Sequence, residues 1–229
     1  IVNVVESTIA RNSDWVLPIY AGTEIGVAST KAFLGQLIVL YMLSLKFAIV
    51  REDIDKNIYE KKVKDLNKIP EAINECLNTE TSIQLMAKEF LKAKGSMFLG
   101  RGSSFPIALE GALKLKELSY LHAEGYPAGE MKHGPLALIE EGLPVIILAP
   151  KDKYFEKTLS NMQEVIARGG KILFITDNKK ESLNENIRFG LRVPYLDNLL
   201  SPFLLTIPLQ LLSYHVALLK NCDVDKPRN

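Results

Sequence analysis

The 229 residues are 47% apolar and 24% charged, with a formal net charge of +1. That is an ordinary soluble globular balance, large enough for a good core in one or two domains, with no basic excess for a nucleic acid or an anionic membrane. Two cysteines, Cys76 and Cys222, stand at no metal-ligand spacing. They argue against a metal site and a disulfide framework and fit a reducing cytosol; no basic stretch precedes an apolar one at the N-terminus, so a cytoplasmic protein is expected.

In chain order, Ile1–Val5 is a short β-branched run that predicts a buried strand. Residues 13–20 hold a second strand candidate, with Pro18 placing it at an edge or an end. A turn bearing Gly and Thr follows, and Ser29 or Thr30 caps a helix running to about Val50. Residues 32–50 are nearly all apolar and about long enough to span a bilayer. Gln36, Ser44 and Lys46 interrupt them, so a helix buried in a large α/β core is the better account and no membrane partner is expected. Residues 51–95 are dense in charge with apolar residues at helical spacing. Pro70 marks a break, residues 78–81 offer caps for a helix to about Lys94, and Gly95 stops it. This stretch reads as a helical connector packed on one side, its Lys and Glu residues a solvated face.

A second unit opens at Ser96. Met97–Gly100 reads as a buried strand and Arg101–Ser104 as a turn into a helix, a place where free N–H groups can meet phosphate, although many α/β turns look alike. Pro106 suits the first turn of that helix, which extends to about Leu121. Apolar residues at 107, 109, 112, 113, 115 and 118 make more than one stripe, so the helix is expected to be buried on most sides. A loop rich in Gly and Pro covers 122–135. Then come a strand at 143–149, a helix near 154–168, a strand at 171–176, a polar loop, a strand at 191–196 and a helix from about Ser201 to Lys220. The alternation predicts an α/β fold with a mainly parallel sheet.

The chemistry gathers on the helix after Arg101 and in the loop behind it. Glu110, Lys114 and Glu117 fall at i, i+4 and i+7, an acid–base–acid row on one face. Charges on a buried helix need partners or line a cavity. The loop carries Glu124, Glu130, Lys132 and His133 among Gly125, Pro127, Gly129, Gly134 and Pro135. Histidine is suited to moving protons near neutral pH. The residues alone leave two readings open: an acid–base site or a structural ion pair beneath a surface loop. His122 and His215 read as packing or helix-end residues.

There is an internal echo. Val16-Leu17-Pro18 followed by Gln36-Leu37 matches Arg192-Val193-Pro194 followed by Gln210-Leu211, with Pro-to-Gln spacings of 18 and 16, and Ile1–Val4 matches Ile172–Ile175. Residues 1–50 therefore look like the second half of a unit whose complete copy is 96–229, and the chain is expected to be a fragment.

The string ALEGALKLKELSYLHAEGYPAGEMKHGPLALI, together with GTEIGVASTKAF at 22–33 and DVDKPRN at 223–229, resembles the isomerase part of the glutamine–fructose-6-phosphate aminotransferase family, the glucosamine-6-phosphate synthases. The resemblance spans nearly the whole chain and is weakest at 51–95. It implies two sugar isomerase (SIS) units, each a five-stranded parallel sheet between helices: 1–50 the second half of the first, 51–95 the connector, 96–229 the second. It also implies a glutaminase domain elsewhere in the intact polypeptide, no cofactor, no metal, and a homodimer.

The activity implied is conversion of fructose 6-phosphate and glutamine-derived ammonia to glucosamine 6-phosphate, by ring opening, imine formation at C2 and proton transfer between C1 and C2. On the matching motif positions, Glu117 is the proton-shuttling glutamate, Lys114 its companion lysine, and His133 the ring-opening histidine, which in the family acts in a neighbouring subunit. Val27 and Ala28 match a loop whose backbone lines the sugar site; a helix-start turn is the plainer account of them, and Glu24 suits the helix dipole there. The family's phosphate cradle and imine-forming lysine match nothing in these residues, so little or no turnover is expected of the 229-residue chain alone. Two alternatives stand beside this reading. One is a glucosamine-6-phosphate deaminase of the same fold; the other is a sugar-phosphate-binding regulatory module, since fold does not fix chemistry.

Overall fold

The apolar runs between residues 95 and 192 pair as a wholly parallel sheet in the order β2-β1-β3-β4-β5, with β1 Gly95–Gly100, β2 His122–Pro127, β3 Pro144–Leu148, β4 Lys171–Thr176 and β5 Ile187–Arg192. This is a computed structural model, and it describes residues 1–179 and 187–228. Every residue of β3 is buried, and all but the first of β1 and β4. Helices cover both faces of such a sheet, which is why its central strands read as unbroken apolar runs and not as alternation.

On one face lie α6, Ser104–Ser119, and α8, Ser201–Leu219, with α4, Ile69–Leu77, and α5, Glu80–Ala87, packed on α8. Gly111 marks a close approach in this layer: a Cβ there would lie 2.6 Å from Leu209 and 3.0 Å from the Phe98 ring. On the other face lies α7, Phe155–Ile166, over a core of Met97, Leu99, Val145, Ile147, Met162 and Phe174. Inside α8, Pro208 has no N–H to give the carbonyl of Leu204. The buried thiol of Cys76 reaches that carbonyl from α4 at 3.8 Å. Burial pushes the Cys76 thiol up to about 12, so it stays a protonated donor.

Two compact units divide the chain, Ile1–Lys68 and Ile69–Asn229. The first holds α1 Thr8–Arg11, α2 Lys31–Val50 and α3 Lys56–Leu66. Its extended segments meet only in a single parallel bridge, Val2 to Pro18. The strands expected at 1–5 and 13–20 therefore do not form a ladder, and Val4, Val5 and Trp15 are exposed. β-branched composition favours an extended backbone, but a strand exists only through its neighbours. The helix expected to Val50 forms over the anticipated residues, yet of its side chains only Ala32 and Leu45 are buried. Within these residues it lacks the cover that its composition leads one to expect.

The larger unit departs from expectation at three points. Residues 122–127, read as loop, are a strand paired with β1 at six positions. Gly125, which suggested a loop, is needed because the backbone of Leu109 on α6 lies 2.9 Å from where its Cβ would be. The helix expected to reach Lys94 ends at Ala87 and tightens into a 3₁₀ turn, Lys88–Phe90, that carries Phe90 into the core. The last strand lies at Ile187–Arg192, earlier than 191–196; its two arginines and glycine disguise an edge strand, and the polar loop before it falls partly on 180–186, outside the described residues.

Candidate active site

α6 leaves the C-terminal end of β1 and runs back along the sheet, ending where Tyr120 takes a left-handed conformation at φ 57°. Its buried stripe includes Ile107, Ala108, Gly111, Ala112, Leu115 and Leu118, while Leu109 and Leu113 are exposed, so the helix is covered on fewer sides than expected. Helical spacing carries Lys114 into the buried face, where its side chain is 4% exposed. An isolated ammonium there would be costly. It is matched on both sides: Nζ donates to Glu117 Oε2 at 2.5 Å, and Glu110 Oε1 lies 3.7 Å away one turn earlier. Lys116, between them in sequence, points to solvent.

The two carboxylates are not equivalent. Glu117 is the more exposed and takes the direct hydrogen bond. Glu110 is deeper, its Oε1 has no hydrogen-bond partner among the described residues, and burial outweighs the Lys114 charge to raise its pKa above the usual carboxylate value. With Lys114 bonded to it and Glu110 deeper behind, Glu117 is the carboxylate of the row whose exposure leaves it able to exchange a proton with a molecule outside the helix.

His133 is elsewhere. β2 ends level with β1, Pro127 against Gly100. A 3₁₀ segment, Ala128–His133, then follows on the α7 face, with Ala128 and Met131 wholly buried in that core. The His133 side chain is 75% exposed, with Glu130 at 3.8 Å as its nearest charged partner. Gly134 follows at φ 136°, a conformation that admits little but glycine. Glu117 lies on the opposite face, thirteen residues down α6 from the β1 end, a drop of about 20 Å along a helix. Within one chain the structure thus brings together Glu110, Lys114 and Glu117 and holds His133 apart from them.

The remaining sequence candidates sort readily. Val27 is exposed and Ala28 buried, in the turn before α2. There Glu24 accepts from the Thr30 N–H at 2.6 Å, so the acid closes the helix start and the side chains of Ser29 and Thr30 do not. His122 is exposed on β2, 3.4 Å from Glu124, and is not a packing residue. His215 is buried on α8, 3.0 Å from Glu80. At the Arg101 turn the Tyr154 ring would lie 2.7 Å from a Cβ of Gly102, while Gly102 and Ser103 themselves stay exposed. Among the described residues no cluster of histidine, cysteine or carboxylate suits a metal ion. The residue that sequence reasoning left without a role is Glu110; its place in the i, i+4, i+7 row was the signal.

Curated relatives include glutamine–fructose-6-phosphate aminotransferases (isomerizing) from Bartonella henselae and Rhizobium meliloti, each 50% identical over the whole of this chain. The chain spans 38% of their length. Among solved structures, the C-terminal domain of glucosamine-fructose-6-phosphate aminotransferase from Francisella tularensis superposes with a TM-score of 0.94 at 44% identity, covering 98% of this chain and 63% of that one. A glucosamine-6-phosphate deaminase from Thermotoga maritima gives 0.74 at 26% identity, covering 100% and 64%. The SIS domain model matches residues 89–220, which take in the whole sheet, the acid–base row and His133, and the chain belongs to the SIS domain family.

Proposed function

We propose that the chain is the isomerase part of an enzyme that makes glucosamine 6-phosphate from fructose 6-phosphate and glutamine-derived ammonia, working in the cytoplasm. The observation that carries this reading is the buried Lys114 bracketed by Glu110 and Glu117. A sugar-phosphate binder has no need of such a proton-handling row. The relatives named above, half identical over the full chain, support the same reading.

In this proposal His133 opens the furanose ring, moving the proton of the anomeric hydroxyl to the ring oxygen. After imine formation at C2, with loss of water, Glu117 removes a proton from C1 and delivers it to C2 while the C1 hydroxyl proton passes to the imine nitrogen, leaving the aldehyde and the amine, and Lys114 holds Glu117 in place through their hydrogen bond. Val27 and Ala28 offer backbone groups to the sugar. The placing of His133 on the face and end of the sheet opposite Glu117 supports a homodimer in which each His133 serves the partner subunit's site. The parallel bridge Val2–Pro18 followed by the apolar α2 echoes β4–β5 followed by α8, which supports reading 1–50 as the second half of a further SIS unit and 51–95 as the connector to 96–229. A glutaminase domain of the same intact protein would supply ammonia.

The test is isomerisation of fructose 6-phosphate to glucose 6-phosphate by the full-length protein, with and without Glu117→Gln. Loss of about 10²-fold or more in kcat is expected of a proton shuttle. Tight sugar-phosphate binding without turnover in either protein would sink the reading and leave a regulatory module. The deaminase alternative predicts amino-sugar turnover with ammonia and none dependent on glutamine.

A further inference from the structure

A ring-opening group on an exposed histidine must be held still by something other than its own contacts, and a six-residue 3₁₀ segment holds itself poorly. Three features tie Ala128–His133 down. Ala128 and Met131 are buried in the α7-face core. Lys132 Nζ reaches Glu164 Oε1 on α7 at 3.1 Å. Arg101, in the turn between β1 and α6, lays its guanidinium across Gly129: the position of a Cβ there would be 2.9 Å from Nη1 and 3.0 Å from Cζ and Nη2. The same Nη1 donates to Oδ1 of Asn161 on α7, a buried side chain, at 2.9 Å. Arg101 thus joins three things: the turn that launches the Lys114–Glu117 helix, the helix α7, and the segment that ends in His133.

We propose that Arg101, seated by Asn161 and admitted by the bare Cα of Gly129, is the positioning residue for His133. This rests on the reading of His133 given above. Arg101 touches no reacting atom in this role. It fixes the angle at which the 3₁₀ segment leaves β2. The planar fork matters: a lysine supplies the charge but cannot lie across Gly129 and bond Asn161 at once. Glycine at 129 is explained by the same contact, since any side chain there must push the guanidinium off.

The experiment uses the full-length protein and the fructose 6-phosphate to glucose 6-phosphate reaction, with Glu117→Gln as control. Arg101→Ala and Gly129→Ala are expected to lower kcat about tenfold or more, with KM within about twofold, because a small misplacement of a reacting group costs rate and not binding. Asn161→Leu should follow them, Asn161→Asp should retain the rate by keeping the acceptor, and Arg101→Lys should not rescue. Hydrogen exchange of the amides at 129–134 should quicken in Arg101→Ala and Gly129→Ala while those of β3 and β4 hold. Unchanged kcat in both variants, beside an inactive Glu117→Gln, would overturn the positioning role and leave the enzyme reading standing. A wild type with no turnover would overturn the enzyme reading; exchange at 129–134 then decides the clamp alone, and rates equal to wild type would overturn it too.

Discussion

Among the described residues α2 and α8 are the two helices long and apolar enough by composition to cross a membrane, and they meet opposite fates. Thirteen residues of α8 are buried, against two of α2. Leu40, Met42, Phe47 and Val50 lie exposed on α2, while Leu204, Leu205, Leu209 and Leu212 on α8 are sealed beneath α4, α5 and α6. Composition thus states how much apolar surface a helix must cover but not what covers it. The cover is tertiary, and most of a helix's stability comes from it. The same contrast holds for the two charged regions: Lys114 is held between carboxylates on a buried face, and Lys56 pairs with Glu60 in open water.

The sharpest way to break this comparison is at Lys114. Lys114→Met leaves Glu110 and Glu117 facing one another without the ammonium. Removing one partner of a buried ion pair costs about 3–5 kcal/mol, and the loss should shrink as acid protonates the carboxylates. The same change at Lys56, on the exposed pair, should cost less than about 1 kcal/mol. Urea titration of both variants at neutral and acid pH reads the difference, and equal losses would mean that the row on α6 is solvated. Next in size is Leu209→Ala, in the α6–α8 seam beside Gly111, for which a cavity loss of about 2–5 kcal/mol is expected by thermal or urea unfolding.

Much of this was legible beforehand. The parallel α/β class, the strands at 97–100, 143–149 and 171–176 and the helix from Ser201 were carried by apolar runs too regular to misread, since a strand covered on both faces shows no alternation. The acid–base row was legible because helical spacing alone puts positions 110, 114 and 117 together. What stayed hidden depends on neighbours far away in sequence. β2 looked like loop because Gly125 answers to Leu109 on another element. The exposure of α2 depends on what its own unit offers it. The separation of His133 from Glu117 follows from topology, since one sits beyond the end of β2 on the α7 face and the other far down α6. No local pattern records that.

Glu110 gives the row a pH signature. Its folded pKa is raised above the ordinary value of 4.5, chiefly by burial and further by Glu117, against the pull of Lys114. Between those two values the native state binds more protons than the unfolded one, so its stability falls as pH rises through the folded pKa. Glu110→Gln removes the titrating group. The variant should lose this downward slope above the ordinary carboxylate range while keeping the wild-type stability near pH 4, measured as urea midpoints across about pH 4–8 at about half-unit steps. An unchanged slope would place its origin elsewhere, with the similarly buried Asp177, raised by burial behind β4, the first group to replace.

The smallest expected effect is the most direct test of the comparison between the helices. Leu40→Ala removes from α2 a side chain that is already 48% exposed. In the 229-residue chain little transfer energy is lost and no cavity is opened, so its cost there should stay within about 0.5 kcal/mol. Amide exchange of α2 should be fast in wild type and variant alike, and that of α8 slow in both, because protection follows the burial that a helix's neighbours supply. A Leu40→Ala loss as large as that of Leu209→Ala would mean that α2 is covered in solution by something that leaves no trace in its own unit. The exposed Leu40, Met42, Phe47 and Val50 would then be one side of an interface, and the concentration dependence of unfolding would show whether a second copy supplies the other.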